Sequence, residues 1–250
     1  MKFEAFFSGI TAYGRAFTFI GKHKLHRFFI VPGIFGFLFF LAMGIATLYL
    51  VPIIAEFILS FIPADLLNSV FQTLVKIFLY LLSGTVALIS SRYVVMVVLS
   101  PVLSHLSEVT EEAMYGKKVK GPGILGMLSD VFRALRLNIR IFFRQLFFSI
   151  LLSLIPFVNA ASPFTLFIVE SYYAGFNLMD FTLERKRMRV RDSIKFVRKN
   201  RMLTTGLGIV FSLLIFIPVL GWMMAPVLGT VAATLETLKE MDGEQGGGGN

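Results

Sequence analysis

The chain has 250 residues, 56% of them hydrophobic and only 16% charged, and its mean hydropathy is +0.78. Soluble domains rarely have this composition, and several apolar runs exceed the roughly 20 residues that a helix needs to span a bilayer, so we expect an integral membrane protein. The net charge of +9 comes from basic residues beside those runs, where positive-inside topology and anionic lipid headgroups account for it without nucleic acid.

The N-terminal segment has the pattern of an amphipathic helix. Aromatic and aliphatic residues recur at three- and four-residue steps from Phe3 to Ile20, with polar residues between them. This helix could lie in the headgroup boundary or pack against other helices of the protein. The basic segment Lys22–Arg27 follows, and then a first uncharged crossing at about residues 28–55. The positive charge before this crossing predicts a cytoplasmic N-terminus.

A second crossing is predicted at about residues 77–103, after a short, slightly acidic loop. Its only charged residue is Arg92. An arginine within the membrane costs on the order of 3 kcal/mol, so Arg92 should face the bundle interior, snorkel to the interface or find a partner.

Cytoplasmic helices are expected at about residues 104–145. After the turn Gly121-Pro122-Gly123, arginines recur at three- and four-residue steps and therefore share one side of a helix. These residues are Arg133, Arg136, Arg140 and Arg144. Such a stripe either faces water and lipid headgroups or forms a cationic wall beside an anion path.

The apolar segment at about residues 146–179 is predicted to be a re-entrant hairpin. A single crossing would place the densely basic residues 185–201, within another expected cytoplasmic helix at about 180–201, outside the cell, against the positive-inside rule. The first arm, Leu146–Ile155, would rise only about 15 Å, half of the hydrocarbon core. Pro156 and Asn159 mark the tip, where broken helices free backbone donors.

A second Pro-broken hairpin is predicted at about residues 202–238, with its tip at Pro218 and Gly221. Both hairpins would enter the membrane without crossing it. We therefore expect one all-α membrane domain over residues 1–240, containing an amphipathic helix, two long transmembrane helices and two re-entrant hairpins. Residues 241–250, which end in glycines, are expected to form a flexible tail.

Motifs of catalysis are missing from the sequence. It contains no Walker sequence, no His-Glu-x-x-His and no Gly-x-Ser-x-Gly. It also has no cysteine, and its three histidines lack the spacing of a metal-binding helix face. We predict no enzyme, no metal and no cofactor. The run Gly206-Leu207-Gly208 is interpreted as a close contact between helices.

With these segments in place, the chain resembles the CysZ sulfate permease family, which is grouped with the etoposide-induced autophagy membrane proteins. The likeness covers nearly the whole chain through short motifs in a matching order. They are Lys22-His23-Lys24-Leu25-His26-Arg27-Phe28 with Pro32, Ser100-Pro101, Leu106-Ser107-Glu108, Gly126-x-x-x-Asp130-x-x-Arg133, Asp180-Phe181, and Ile217-Pro218 with Ala225-Pro226.

The resemblance implies a multi-pass protein of the bacterial inner membrane that forms a homo-oligomer and admits sulfate for sulfur assimilation. The sulfate site of the family is similar to a Gly-hydrophobic-Arg-Arg stretch just before the first long helix. In this chain the stretch consists of Lys24, Leu25, His26 and Arg27, which keeps the hydrophobic residue and one arginine.

Two functions follow as hypotheses. The first is a channel or permease for sulfate or a similar oxyanion, bound at residues 24–27 and guided by the arginine stripe and the hairpin tips. The second is a non-transporting membrane scaffold, or a membrane-shaping or regulatory protein, that grips anionic lipids through its basic segments.

Overall fold

The computed structural model of the chain describes residues 2–63, 68–117, 135–136, 139, 143, 147, 162–217 and 220–247. Within these ranges the fold is all-helical, which confirms the predicted class. The elements are α1 Lys2–Lys22, a 3-10 helix Leu25–Phe29, α2 Ile30–Leu59, α3 Ser69–Val98, α4 Ser100–Tyr115, α5 Ser162–Arg185, α6 Val190–Lys199, α7 Arg201–Ile215 and α8 Leu220–Gly247.

Helix α1 is amphipathic, as predicted, and one of its faces is part of the protein core. Ala12, Tyr13 and Ala16 are buried against α7 and α8, whereas Phe3 and Phe17 are exposed on the other face. The sequence left open whether this helix lies in the headgroup boundary or packs against other helices. The structure shows that its buried face packs against other helices. The buried Tyr13 hydroxyl donates a 2.8 Å hydrogen bond to the Leu207 carbonyl, so this polar group has a partner inside the core.

Helix α2 is apolar around its whole circumference. The helical stretch Leu25–Leu59 is long and apolar enough to cross a membrane, and it includes the first predicted crossing. No other helix among the described residues meets both conditions. Large apolar side chains on α2 are exposed in the isolated chain, as expected for a helix surrounded by lipid. They include Ile34, Phe37, Leu41, Leu48 and Phe57.

The α2–α3 pair has its own small core. Val51 and Ala55 of α2 pack against Leu79 of α3, and the Thr47 and Ser83 hydroxyls lie 2.6 Å apart. Helix α3 ends at Val98, so the helix breaks within the predicted crossing at 77–103. The side chain of Arg92 lies outside the described part of the chain. The second crossing stays a prediction.

Close contact between helices explains the two glycines on either side of Leu207. A Cβ on Gly206 would lie 2.3 Å from the Phe6 carbonyl oxygen of α1, and one on Gly208 would lie 1.6 Å from the Ser171 carbonyl oxygen of α5. Only glycine leaves room for backbones this close. The interpretation of this run as helix packing is confirmed.

The two predicted hairpins are described to different extents. Residues 148–161, with the tip at Pro156 and Asn159, lie outside the described residues. Helix α5 runs from Ser162 through position 180 to Arg185, so no helix end occurs at the expected 179/180 boundary. Helices α7 and α8 contact each other next to the second tip, of which residues 218–219 lie outside the described ranges. Re-entrant insertion stays a prediction for both.

Helix α8 continues to Gly247, beyond the boundary that we expected at residue 240. Two contacts account for this extension. The Tyr115 hydroxyl at the end of α4 donates a hydrogen bond to the Asp242 carboxylate, and Met241 packs against the main core. A single tryptophan joins α2 to the same helix, because Trp222 stacks on Phe40 with ring centroids 4.2 Å apart.

Candidate functional site

The four residues predicted to bind an anion form a tight turn between α1 and α2, which we call the cationic turn (residues 24–27). Lys24 adopts a left-handed conformation, with φ 56° and ψ 36°, and precedes the 3-10 helix. This conformation suits glycine, which has no Cβ to clash. Leu25 is only 3% exposed and anchors the turn in the main core.

The polar side chains of the cationic turn face solvent. Lys24, His26 and Arg27 are all exposed. The Arg27 guanidinium carbon lies 5.5 Å from the centroid of the Phe28 ring, a cation–π distance. The Phe28 ring also lies near the His105 ring of α4, with centroids 5.8 Å apart. The turn therefore presents three basic side chains above a buried apolar anchor.

The other predicted site residues are only partly described. Arg136 is exposed on a helical segment. Gly221 is buried at the start of α8, where a Cβ would lie 1.9 Å from the Leu214 carbonyl oxygen, so the glycine serves the α7–α8 contact. The remaining members fall outside the described residues. They are Arg133, Arg140, Arg144, Pro156, Asn159 and Pro218.

A second polar region, missed by the sequence interpretation, lies inside the bundle where α4, α5 and α8 meet. On α4 one stripe of polar residues is buried at helical spacing: Ser100, Ser104, Ser107 and Glu111. On α8 the buried hydroxyl residues are Thr230, Thr234 and Thr237. These spacings place each set on one helix face. Polar stripes on otherwise apolar helices could have indicated this contact.

Three hydroxyls from three helices form a closed hydrogen-bonded group, which we call the hydroxyl cluster. Thr234 donates to Ser107 at 2.9 Å, Thr182 donates to Thr234 at 3.1 Å, and the Ser107 and Thr182 oxygens lie 3.1 Å apart. All three side chains are fully buried. Each hydroxyl can both donate and accept, so the cluster can reorient its protons toward a polar guest.

Next to the hydroxyl cluster, one carboxylate is shared by two basic residues. Glu111 forms an ion pair with Arg185 through its Oε2 atom and accepts a 2.5 Å contact from the Lys186 ammonium at Oε1. The Arg185 side chain is 2% exposed and that of Lys186 is 34% exposed. Arg185 Nη2 also lies 3.4 Å from the Ser107 hydroxyl, so the ion pairs and the hydroxyl cluster are continuous.

The described residues contain no group of three or more His, Cys, Asp or Glu side chains that could hold a metal ion. Around the Glu111 carboxylate, Arg185, Lys186 and the hydroxyl cluster supply hydrogen-bond donors. Guanidinium, ammonium and hydroxyl groups are the donors that bind oxyanions in proteins.

A comparison with protein families gives a match to a family of membrane proteins. A family model described as sulfate transporter CysZ/etoposide-induced protein 2.4 matches residues 12–226, which covers the helices from α1 into the start of α8. A comparison with curated proteins gave no match.

Proposed function

The chain belongs to the sulfate transporter CysZ/etoposide-induced protein 2.4 family, and we propose that it is a membrane permease for a small oxyanion, sulfate in particular. The observation that carries this proposal is the family match over residues 12–226. The apolar stretch Leu25–Leu59 supports a place in the membrane. The donor groups of the cationic turn and of the bundle interior fit an anion.

Helix lengths support the proposed topology. Helices α2 and α3 have 30 residues each, about 45 Å of helix, and this length is enough to cross a hydrocarbon core of about 30 Å with tilt. Helix α7 has 15 residues, about 22 Å, which favours insertion into part of the bilayer. The protein would lie in the bacterial inner membrane with the N-terminus and the basic residues 185–201 on the cytoplasmic side.

The cationic turn is the proposed site of first anion contact. Lys24, His26 and Arg27 are exposed together at the start of the spanning helix, and the buried Leu25 holds their backbone in place. Exposed cations raise the local concentration of an anion and steer it toward the protein. From there the predicted arginine stripe, to which Arg136 belongs, and the hairpin tips would guide the anion into an oligomeric assembly.

Flux of radiolabelled sulfate into liposomes that contain only this protein tests the proposal. A permease produces uptake that saturates with sulfate concentration and is reduced by competing oxyanions. Liposomes without protein provide the background. Uptake equal to that background, from protein that is folded and inserted, would reject the transport function.

The second candidate is a membrane-shaping scaffold, which the outer face of α1 favours. Phe3, Phe7 and Phe17 are exposed along this helix, Lys22 is its last residue, and Lys24 lies just beyond it. Aromatic and basic groups in this arrangement bind the surface of anionic membranes. Deformation of anionic liposomes without sulfate flux would support the scaffold over the permease.

A further inference from the structure

The ion pairs of Glu111 join one carboxylate to two cations. Glu111 supplies one carboxylate, whereas Arg185 and Lys186 supply two cations, and all three side chains meet at one point between α4 and α5. The Arg185 side chain is almost fully buried, so water screens it poorly. A buried site in which two cations share one carboxylate favours an additional anion.

The guanidinium of Arg185 also has an unused donor. Its Nε atom is buried and has no hydrogen-bond partner among the described residues. An unsatisfied buried donor costs about 1–3 kcal/mol, and an oxyanion that accepts from Nε would recover that free energy. The buried Thr237 hydroxyl on α8 has no described partner either.

The hydroxyl cluster supplies neutral hydrogen-bond donors next to the Arg185 guanidinium. Ser107 lies 3.4 Å from Arg185 Nη2 and bonds to Thr234, and all three hydroxyls can rotate. A tetrahedral oxyanion accepts several hydrogen bonds at once, which one guanidinium, one ammonium and these hydroxyls could provide. The partial exposure of Lys186, 34%, connects this site to the surface at the end of α5.

We propose that Arg185, Lys186 and the hydroxyl cluster form an internal oxyanion subsite in which the carboxylate of Glu111 is a resident counter-ion that an arriving oxyanion displaces. The subsite is separate from the cationic turn and rests on the proposed permease function. In its empty state Glu111 neutralises part of the charge, which keeps the bundle closed and lowers anion affinity. Displacement of Glu111 lets the anion bind for a limited time and leave again.

The test is sulfate binding to the purified full-length protein in detergent at constant ionic strength, together with flux in liposomes. Glu111→Gln keeps the shape of the side chain and removes the competing charge. We expect sulfate to bind this variant roughly tenfold more tightly, a change of about 1.4 kcal/mol, with a lower maximal flux because release is slower. Chloride at the same concentration should not produce the effect.

Lys186→Met is the second variant. Methionine keeps an apolar stem like that of lysine, and the position is partly exposed, so the fold should persist. We expect it to weaken sulfate binding roughly fivefold. Lys195→Met, on the exposed side of α6, is the matched control and should behave like the wild type.

The outcomes separate this proposal from the function on which it rests. Sulfate flux by the wild type, with unchanged affinity in both Glu111→Gln and Lys186→Met, would overturn the internal subsite and leave the permease intact. No sulfate binding or flux by the wild type would overturn both. Weaker rather than tighter binding by folded Glu111→Gln would show that the carboxylate supports the anion site and would reject its role as a displaced counter-ion.

Discussion

Arg15 donates a 2.8 Å hydrogen bond from Nη2 to Glu236 Oε1 and so ties α1 to α8. The two partners differ strongly in burial, since the Arg15 side chain is 47% exposed and that of Glu236 is 5% exposed. Ser8 adds a 2.8 Å hydrogen bond to the other carboxylate oxygen. The carboxylate therefore depends on α1 for its partners, whereas the guanidinium can turn to water.

This difference predicts unequal effects of removing each partner. Arg15→Met leaves a buried, poorly paired carboxylate and should lower the free energy of unfolding by about 3 kcal/mol. Glu236→Gln keeps hydrogen-bonding atoms in place and lets Arg15 reach solvent, so the loss should be only about 1 kcal/mol. Denaturation of the two variants in the same detergent measures both values. Equal losses would contradict the asymmetric role.

Gly208→Ala should separate α5 from α7. The new Cβ would lie 1.6 Å from the Ser171 carbonyl oxygen, which is backbone and cannot move without its helix. Overpacking of this kind costs about 3 kcal/mol or more. Gly44→Ala is the matched control, because nothing lies within 4 Å of its Cβ position. The thermal midpoint should fall clearly for Gly208→Ala alone, and similar midpoints in the two variants would disprove the close contact.

Lys24→Gly should stabilise the protein. The left-handed conformation of Lys24, with φ 56°, costs a residue with a Cβ about 1 kcal/mol, and glycine removes that cost. Lys24→Ala removes the same charge but keeps the Cβ. We expect a higher thermal midpoint for the glycine variant than for the alanine variant, and the reverse order would show that the turn is not strained.

Arg27→Ala should weaken sulfate binding by roughly fivefold, as loss of one exposed charge contact does, and lower flux without affecting membrane insertion. Arg198→Ala, which removes another exposed arginine, on α6, is the control for net charge. Equilibrium binding of labelled sulfate measures the effect. Unchanged binding in Arg27→Ala would remove the cationic turn from the anion site.

Tyr115 predicts a pH dependence at the α4–α8 contact. Burial, the hydrogen bond to Asp242 and the negative charges of Asp242 and Glu111 raise the pKa of Tyr115 from its usual 10.0 to about 12. The folded state thus holds this proton more tightly than the unfolded state. Its contribution to stability is complete below about pH 10 and is lost as the pH rises toward 12.

Tyrosinate absorbance during an alkaline titration measures this pKa. Asp242→Asn removes the negative charge and should move the Tyr115 transition back toward pH 10, since that partner raises the value. The same substitution in a Tyr115→Phe background should leave the absorbance titration unchanged. A titration of wild-type Tyr115 near 10 would contradict the contact.

Several features could be predicted from the sequence because they depend on neighbouring residues. Helical periodicity was enough for α1, the length of an uncharged run for α2, and residue size for Gly206 and Gly208. The anion site at the cationic turn was proposed from the resemblance to the sulfate permease family. The left-handed conformation of Lys24 was not predicted, because a lysine carries no local signal for that conformation.

By itself, then, the sequence determined the all-helical class, the apolar stretch that can span a bilayer, and the basic residues beside it, since hydropathy and helix period act over a few turns. Only the tertiary structure decided which polar residues meet inside the bundle. Ser107 and Thr234 bond across 127 positions, and Glu111 pairs with Arg185 on another helix. Such partners are chosen by how the helix faces pack, because a buried charge or hydroxyl must find a partner wherever the fold brings one close.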